Sequence, residues 1–212
     1  MTVELIRATN DADLLVGEAA AICTASEDPD ASRRGAMAHG HMSVAEHATF
    51  TFRVRGVSRV LLAQLTRHRL ASFSVQSQRY CGVNPDSIVL PKSFEQHGYV
   101  GSVDALLLEA ASLYESMIKD GVPEEDARYI IPQGITCDLI MTMNARELLH
   151  FFSMRCCNRA QWEIRELADE MLRLCREVAP EIFRKAGAAC QRGRKCPEGS
   201  QSCGKPRGGV KP

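Results

Sequence analysis

The chain has 212 residues, 45% apolar and 25% charged, the balance of a globular protein large enough to bury a substantial core. Lys plus Arg and Asp plus Glu each number 26, so no net field draws nucleic acid or an anionic membrane. No apolar run approaches the roughly 18 residues of a membrane helix, and the start MTVELIRATNDADLL lacks a secretory pattern, so nine cysteines imply reduced thiols in the cytoplasm.

Leu14, Leu15, Ala19, Ile22 and Cys23 recur at helical spacing over residues 11 to 25. SEDPDASRR reads as a polar connection, with a short helix following through Gly35 to Gly40. From Thr49 to Arg55 the period falls to two. Phe50, Phe52 and Val54 share one face and Thr51, Arg53 and Arg55 the other, a half-buried strand that Gly56 should end. Val57 to Thr66 reads as a helix carrying Arg67-His68-Arg69 at its C-terminal end. Ser102 is the expected cap of a long helix striped by Val103, Leu106, Ala110, Leu113, Met117 and Ile118, with Gly121 as its stop. Pro123 starts a short helix that runs through Ile130 and ends at Pro132. Ile135, Cys137, Leu139, Met141 and Met143 alternate with mostly polar neighbours as a second strand. Asn144 and Glu147 have the spacing of a capping box for the next helix. Ile164, Leu167, Met171, Leu174 and Val178 stripe the last helix, which begins near Trp162 and ends at Pro180. Helices with a few intervening strands and no βαβ alternation indicate an α+β fold, helices packed around a small central β-sheet. Residues 1–186 read as a single domain, and 187–212 as a basic, cysteine-containing tail expected to be mobile.

The zero net charge hides an asymmetry. Eight of the 26 basic residues but one acid, Glu198, lie between Arg184 and Pro212, which leaves 18 basic and 25 acidic residues elsewhere, a net of minus seven. Any anion bound by that acidic body requires a local group of arginines. Arg67, His68, Arg69 and Arg79, interleaved with Ser72, Ser74 and Ser77, form one such group. Guanidiniums grip phosphate with paired hydrogen bonds and hydroxyls add donors, so the pattern suits a phosphate ester; a solvated basic loop is the alternative. His39, His41 and His47 with Glu46 offer metal-ligand atoms in a loop context that disfavours a metal. Cys190, Cys196 and Cys203 lack a C-x2-C knuckle and would bind zinc only with a fourth ligand, Cys175 or a partner chain.

The run RHRLASFSVQSQRY, in which RHR is followed by Ser77, resembles the signature of the flavin-dependent thymidylate synthases. HGHMSVAEH (39–47), Gln64, GVPEEDARYIIPQG (121–134), NARELLHFFSMR (144–155) and AQWEIRELA (160–168) are similar to further blocks of that family, in its order. The resemblance implies that family's fold and its activity. That activity is reductive methylation of dUMP to dTMP with FAD, NADPH and 5,10-methylenetetrahydrofolate, in a homotetramer with shared sites, with no metal, nucleic acid or membrane partner. By the same resemblance His68 and Arg69 contact FAD, and Arg67 lies where flavin and nucleotide meet. Asn144, Arg146 and His150 match further FAD contacts, and Ser43 a flavin contact from a neighbouring subunit. Ser77, Gln78 and Arg79 hold dUMP, with Gln64 and Arg128 beside them. Arg155 matches the arginine that polarises the pyrimidine, and His41 and Glu46 occupy further catalytic positions. Val75 stands where many members have Glu or Gln, which removes one side-chain contact. A non-enzymatic RNA-binding protein is the competing class; an acidic body and 6% aromatic residues, few for base stacking, argue against it. A related enzyme acting on another nucleotide phosphate is a further alternative, because arginines that bind phosphate do not identify the base.

Overall fold

The computed structural model describes residues 1–82, 84 and 87–207, so the last five residues of the expected tail lie outside the described residues. The elements run β1 (Thr2–Ala8), α1 (Ala12–Thr24), α2 (Pro29–Ala38), β2 (Thr49–Ser58), α3 (Arg59–Leu65), β3 (Ala71–Val75), α4 (Lys92–Gln96), α5 (Val100–Lys119), α6 (Glu124–Ala127), β4 (Thr136–Asn144), α7 (Ala145–Arg155), α8 (Trp162–Val178) and α9 (Pro180–Phe183), with short 3-10 turns between. The strands pair in the order β1-β2-β4-β3, a small sheet among many helices, as an α+β fold requires. Among the described residues, no helix is long and apolar enough to cross a membrane.

Several boundaries differ from the sequence reading, each for a local reason. The polar stretch before Gly35 is the start of α2: Asp28 accepts a hydrogen bond from the Ala31 amide at 2.9 Å and Pro29 occupies the first helical turn. Gly56 does not end β2. It adopts φ +67°, and the burial parity slips there, from Phe50, Phe52 and Val54 to Val57, as a bulge produces. Tyr99, not Ser102, precedes α5, and no side chain caps that helix. The covered face of α5 carries Leu107 and Tyr114, while Leu106 and Leu113 are exposed. On α8 the buried residues include Leu167, Met171 and Cys175, while Val178 is exposed. The strands β1 and β3 were missed altogether. In β3, ASFSV alternates Ala71, Phe73 and Val75 with two serines, a period-two pattern overshadowed by the charges beside it.

By contact density the chain divides into two compact units, and each of the four strands contributes residues to both. The first comprises Met1–Thr2, Val54–Gln64 and Ser74–Leu139. In it Ser58 caps α3 by accepting from the Leu61 amide at 3.0 Å, and the Arg59 amide donates to the Ile135 carbonyl at 3.1 Å. The second comprises Val3–Arg53, Leu65–Phe73 and Ile140–Pro212. Its core is a chain of edge-on aromatic contacts, Phe50 on β2 against Phe183 on α9, Phe183 against Phe152, and Phe152 against Phe151 on α7, with centroids 5.3 to 5.9 Å apart. Helices α1 and α2 pack closely enough that a Cβ on Gly17 would meet the Pro29 carbonyl oxygen at 2.8 Å. Residues 187–207 are bonded along α8 and its approach. Arg207 grips Asp169 with two hydrogen bonds of 2.7 and 2.9 Å, and Asn158 donates to the Lys205 carbonyl at 2.7 Å.

Candidate active site

The cap of α7 is half of the expected capping box. Asn144 Oδ1 accepts from the Glu147 amide at 2.9 Å, which starts the helix. The Glu147 carboxylate does not turn back to the cap. It is buried and accepts from His68 Nδ1 at 2.9 Å. Glu147, Phe151 and Arg155 are four residues apart on α7 and therefore share one helical face. His68, just beyond α3, lies on that face: its ring meets Phe151 edge-on at 5.0 Å, and its Nε2 accepts from Arg155 Nε at 3.2 Å.

These bonds settle the tautomer. A guanidinium can only donate, so His68 Nε2 is the acceptor and the proton resides on Nδ1, facing Glu147. Burial pushes the His68 pKa below its ordinary value, partly offset by the hydrogen bond to Glu147 and reinforced by the Arg155 charge. The imidazole is thus neutral near pH 7 and serves as a fixed bridge between a carboxylate and a guanidinium. Burial, and then the like charge of Arg67, lower the Arg155 pKa, though an arginine remains charged. Among the described residues, His68, Glu147 and His150 form the one group that could offer three metal ligands, their ligand atoms within 4.8 Å of one another. A divalent cation there would have to displace Arg155 from His68 and sit against its charge, so hydrogen bonding accounts for the group. His39, His41, His47 and the three tail cysteines belong to no such group.

The residues matched to FAD all fall in the second unit, with Arg155, His41 and Glu46. Arg67, Arg69, Arg146 and His150 are exposed around buried His68, and Asn144 is half-buried. Glu46 pairs with Arg146, while His41 and Ser43 are exposed at the turn before β2.

The residues matched to dUMP fall in the first unit, apart from Arg67 and Arg155. Ser77 and Gln78 line a cavity of about 270 Å³. The Ser77 hydroxyl accepts from the Arg79 amide at 3.1 Å, a local turn that sets its direction. Arg79 and Arg128 converge on one acid: Arg79 Nε lies 2.7 Å from the Glu125 carboxylate, and Arg128 Nε donates to the Glu125 carbonyl at 3.0 Å. Gln64, half-buried on α3, donates to the Val60 carbonyl at 3.3 Å.

Two residues escaped the sequence reading. Glu147 was assigned to helix capping, although its register with Arg155 was a visible signal. Arg59 lines the same cavity as Ser77, donates to the Gln76 carbonyl at 2.8 Å, and has a buried Nε without a bonding partner. No spacing in the sequence marks it.

Residues 4–181 match the family model described as thymidylate synthase complementing protein. A flavin-dependent thymidylate synthase of Geobacter sulfurreducens is 46% identical, covering 97% of this chain and 94% of the relative. The chain belongs to the flavin-dependent thymidylate synthases. Another member of the family, from Nitratidesulfovibrio vulgaris, is 47% identical over 78% of this chain and 72% of its own length. Among solved structures, a UMP/dUMP methylase from Streptomyces cacaoi, bound with 5-Br dUMP, superposes with a TM-score of 0.75 at 28% identity. That match covers 86% of this chain and 93% of the methylase, so the similarity extends through both units.

Proposed function

We propose that this chain methylates dUMP at C5 to give dTMP, with 5,10-methylenetetrahydrofolate as carbon donor and NADPH as reductant, in a cytoplasmic homotetramer with active sites shared between subunits. The family supplies the flavin dependence, and the neighbouring methylase holds a brominated dUMP. The donor set suits both ligands. Exposed Arg67, Arg69 and Arg146 offer charge to phosphates, and neutral His68 leaves Arg155 as the cation at the buried end. FAD, when bound, supplies hydride chemistry that no side chain can perform.

The observation that carries the proposal is the chain Glu147–His68–Arg155. Forming a carbon bond at C5 of uracil requires electron density there, so negative charge builds on the ring carbonyl and N3. Arg155 stabilises that charge, and it does so efficiently because it is already held in place before reaction. Its Nε donates to His68, and that bond fixes the direction of the guanidinium that stabilises the pyrimidine. Ser77 acts as a positioning hydroxyl, since a serine needs an adjacent base to become a nucleophile. The nucleotide set and the flavin set of one active site need not belong to one protomer, as shared sites imply. Exposed Ser43 is then available to a neighbouring protomer's flavin.

Purified protein should take up FAD and show a flavin absorption band that bleaches on addition of NADPH. Expression should restore growth of a thymidine-requiring bacterium, Arg155→Ala should abolish rescue, and Ser77→Ala should weaken it. Colourless protein that ignores FAD and fails to rescue growth would overturn the proposal.

A further inference from the structure

The basic residues that the sequence concentrates after Arg184 are not spread evenly over the surface. A groove of about 700 Å³ in the second unit, between α2, α7 and the segment after α9, gathers four of them, Arg184, Lys185, Arg192 and Arg194, with Arg33, Arg34 and Arg146 and one acid, Glu181. Arg146 is matched by Glu46, and Arg33 by Asp30 and Glu181. Among the described residues, the other five form no ion pair. Arg34 and Arg184 also line an adjoining cavity with Asp11, Asp13 and Asp30, so the least compensated end is the one formed by Lys185, Arg192 and Arg194. In a chain of zero net charge this is a large local excess.

We propose that this end of the groove binds the multivalent oxyanion of a co-substrate. The inference rests on the proposed reaction, whose reductant carries a 2′-phosphate and whose carbon donor carries glutamyl carboxylates. Either group presents the planar or clustered oxygens that arginine forks recognise. Two observations reinforce the assignment. Arg192 Nε is buried without a bonding partner, a donor left unsatisfied by the protein. Burial and the neighbouring charge of Arg194 both push its pKa down, as expected of cations held together with no anion between them. The groove is also lined by His150 and Arg146 on α7, positions matched to flavin contacts, so a ligand anchored there by its charge shares one groove with residues of the proposed redox site.

The test compares the wild type with a Lys185→Ala, Arg192→Ala, Arg194→Ala variant, each stripped of FAD for the FAD titration and FAD-loaded for the others. Calorimetry would measure binding of FAD, of NADP+ against NAD+, and of polyglutamyl against monoglutamyl tetrahydrofolate. We expect unchanged FAD affinity and at least a tenfold weakening of one co-substrate, with its advantage over the less charged counterpart lost and kcat retained. Loss of the NADP+ preference identifies the phosphate as occupant, and loss of the polyglutamyl preference identifies the carboxylates. If both preferences survive, or if FAD binding is what falls, the proposal is wrong. Should the triple variant fail to fold, Arg194→Glu at an exposed position provides the same readout. Failure of the functional reading would look different: the wild type itself would bind no FAD and make no dTMP.

Discussion

Replacing Glu147 probes the pre-set geometry of Arg155 most directly. Its carboxylate and the His68 ring are both nearly buried, with 8% and 4% of their side chains exposed, so solvent screening is slight. A buried hydrogen bond to a charged group contributes about 1.5–3 kcal/mol. Glu147→Leu removes it and leaves the His68 Nδ1 proton without its acceptor, for a loss of about 2–3 kcal/mol. For a chain of this length that corresponds to a fall in Tm of roughly 5–10 °C. Glu147→Gln keeps an acceptor but not the charge, and should cost about 1 kcal/mol. Because His68 then no longer fixes Arg155, dTMP formation should slow by about a hundredfold in kcat in the Leu variant, with little change in the dUMP KM. The pH dependence supplies a second check. Burial holds the folded His68 below its ordinary value of 6.5, so the unfolded chain takes up the proton more readily. Its contribution to stability is therefore complete above pH 6.5 and is lost as the pH falls from there through the folded value. Removing Glu147 takes away an influence that raises that value, so the acid loss should extend to lower pH in the variants. Thermal unfolding followed from pH 4.5 to 8 and steady-state assays would measure both effects. A Leu variant with wild-type Tm, kcat and pH profile would refute the reasoning.

Three further outcomes follow from the same geometry. Arg155→Lys should be nearly as inactive as Arg155→Ala in the dTMP assay, because an ammonium cannot both reach His68 Nε2 and present a planar fork. Brief treatment with iodoacetamide followed by mass spectrometry should label exposed Cys23 and Cys203 and spare Cys137, Cys156 and Cys175. Burial raises the thiol pKa at Cys156 and Cys175, and the thiolate is the reactive form. Arg59→Leu should raise the dUMP KM severalfold while leaving the flavin spectrum unchanged, since Arg59 ties down the Gln76 carbonyl beside Ser77.

Much of the architecture was visible along the chain because it depends on short-range patterns. The alternation of Phe50, Phe52 and Val54, and of Cys137, Leu139, Met141 and Met143, follows from the two-residue period of a strand, and both strands are where that period put them. Asn144 was legible as a helix cap because a cap is a bond between residues three apart. Where the sequence reading failed, two local signals competed. Pro29 and Asp28 were read as a loop although they start α2, and Gly56 was read as a stop although a glycine with positive φ lets β2 continue through a bulge.

The site divided along the same line. Order and spacing of RHR, Ser77 and the later blocks were enough to indicate the family, because those residues meet ligands whose chemistry is constant. The amino-acid order could not show that Glu147, 79 residues from His68 in sequence, would leave its helix cap to hold the imidazole, nor that Arg192 and Arg194 would join Arg34 around one groove. Partners so distant in sequence are chosen by packing: Phe151 places the His68 ring on α7, and the contacts of Arg207 with α8 hold the basic segment against the same unit. Residue type and spacing therefore determined which chemistry this chain can perform, and the tertiary structure alone decided which charges face one another.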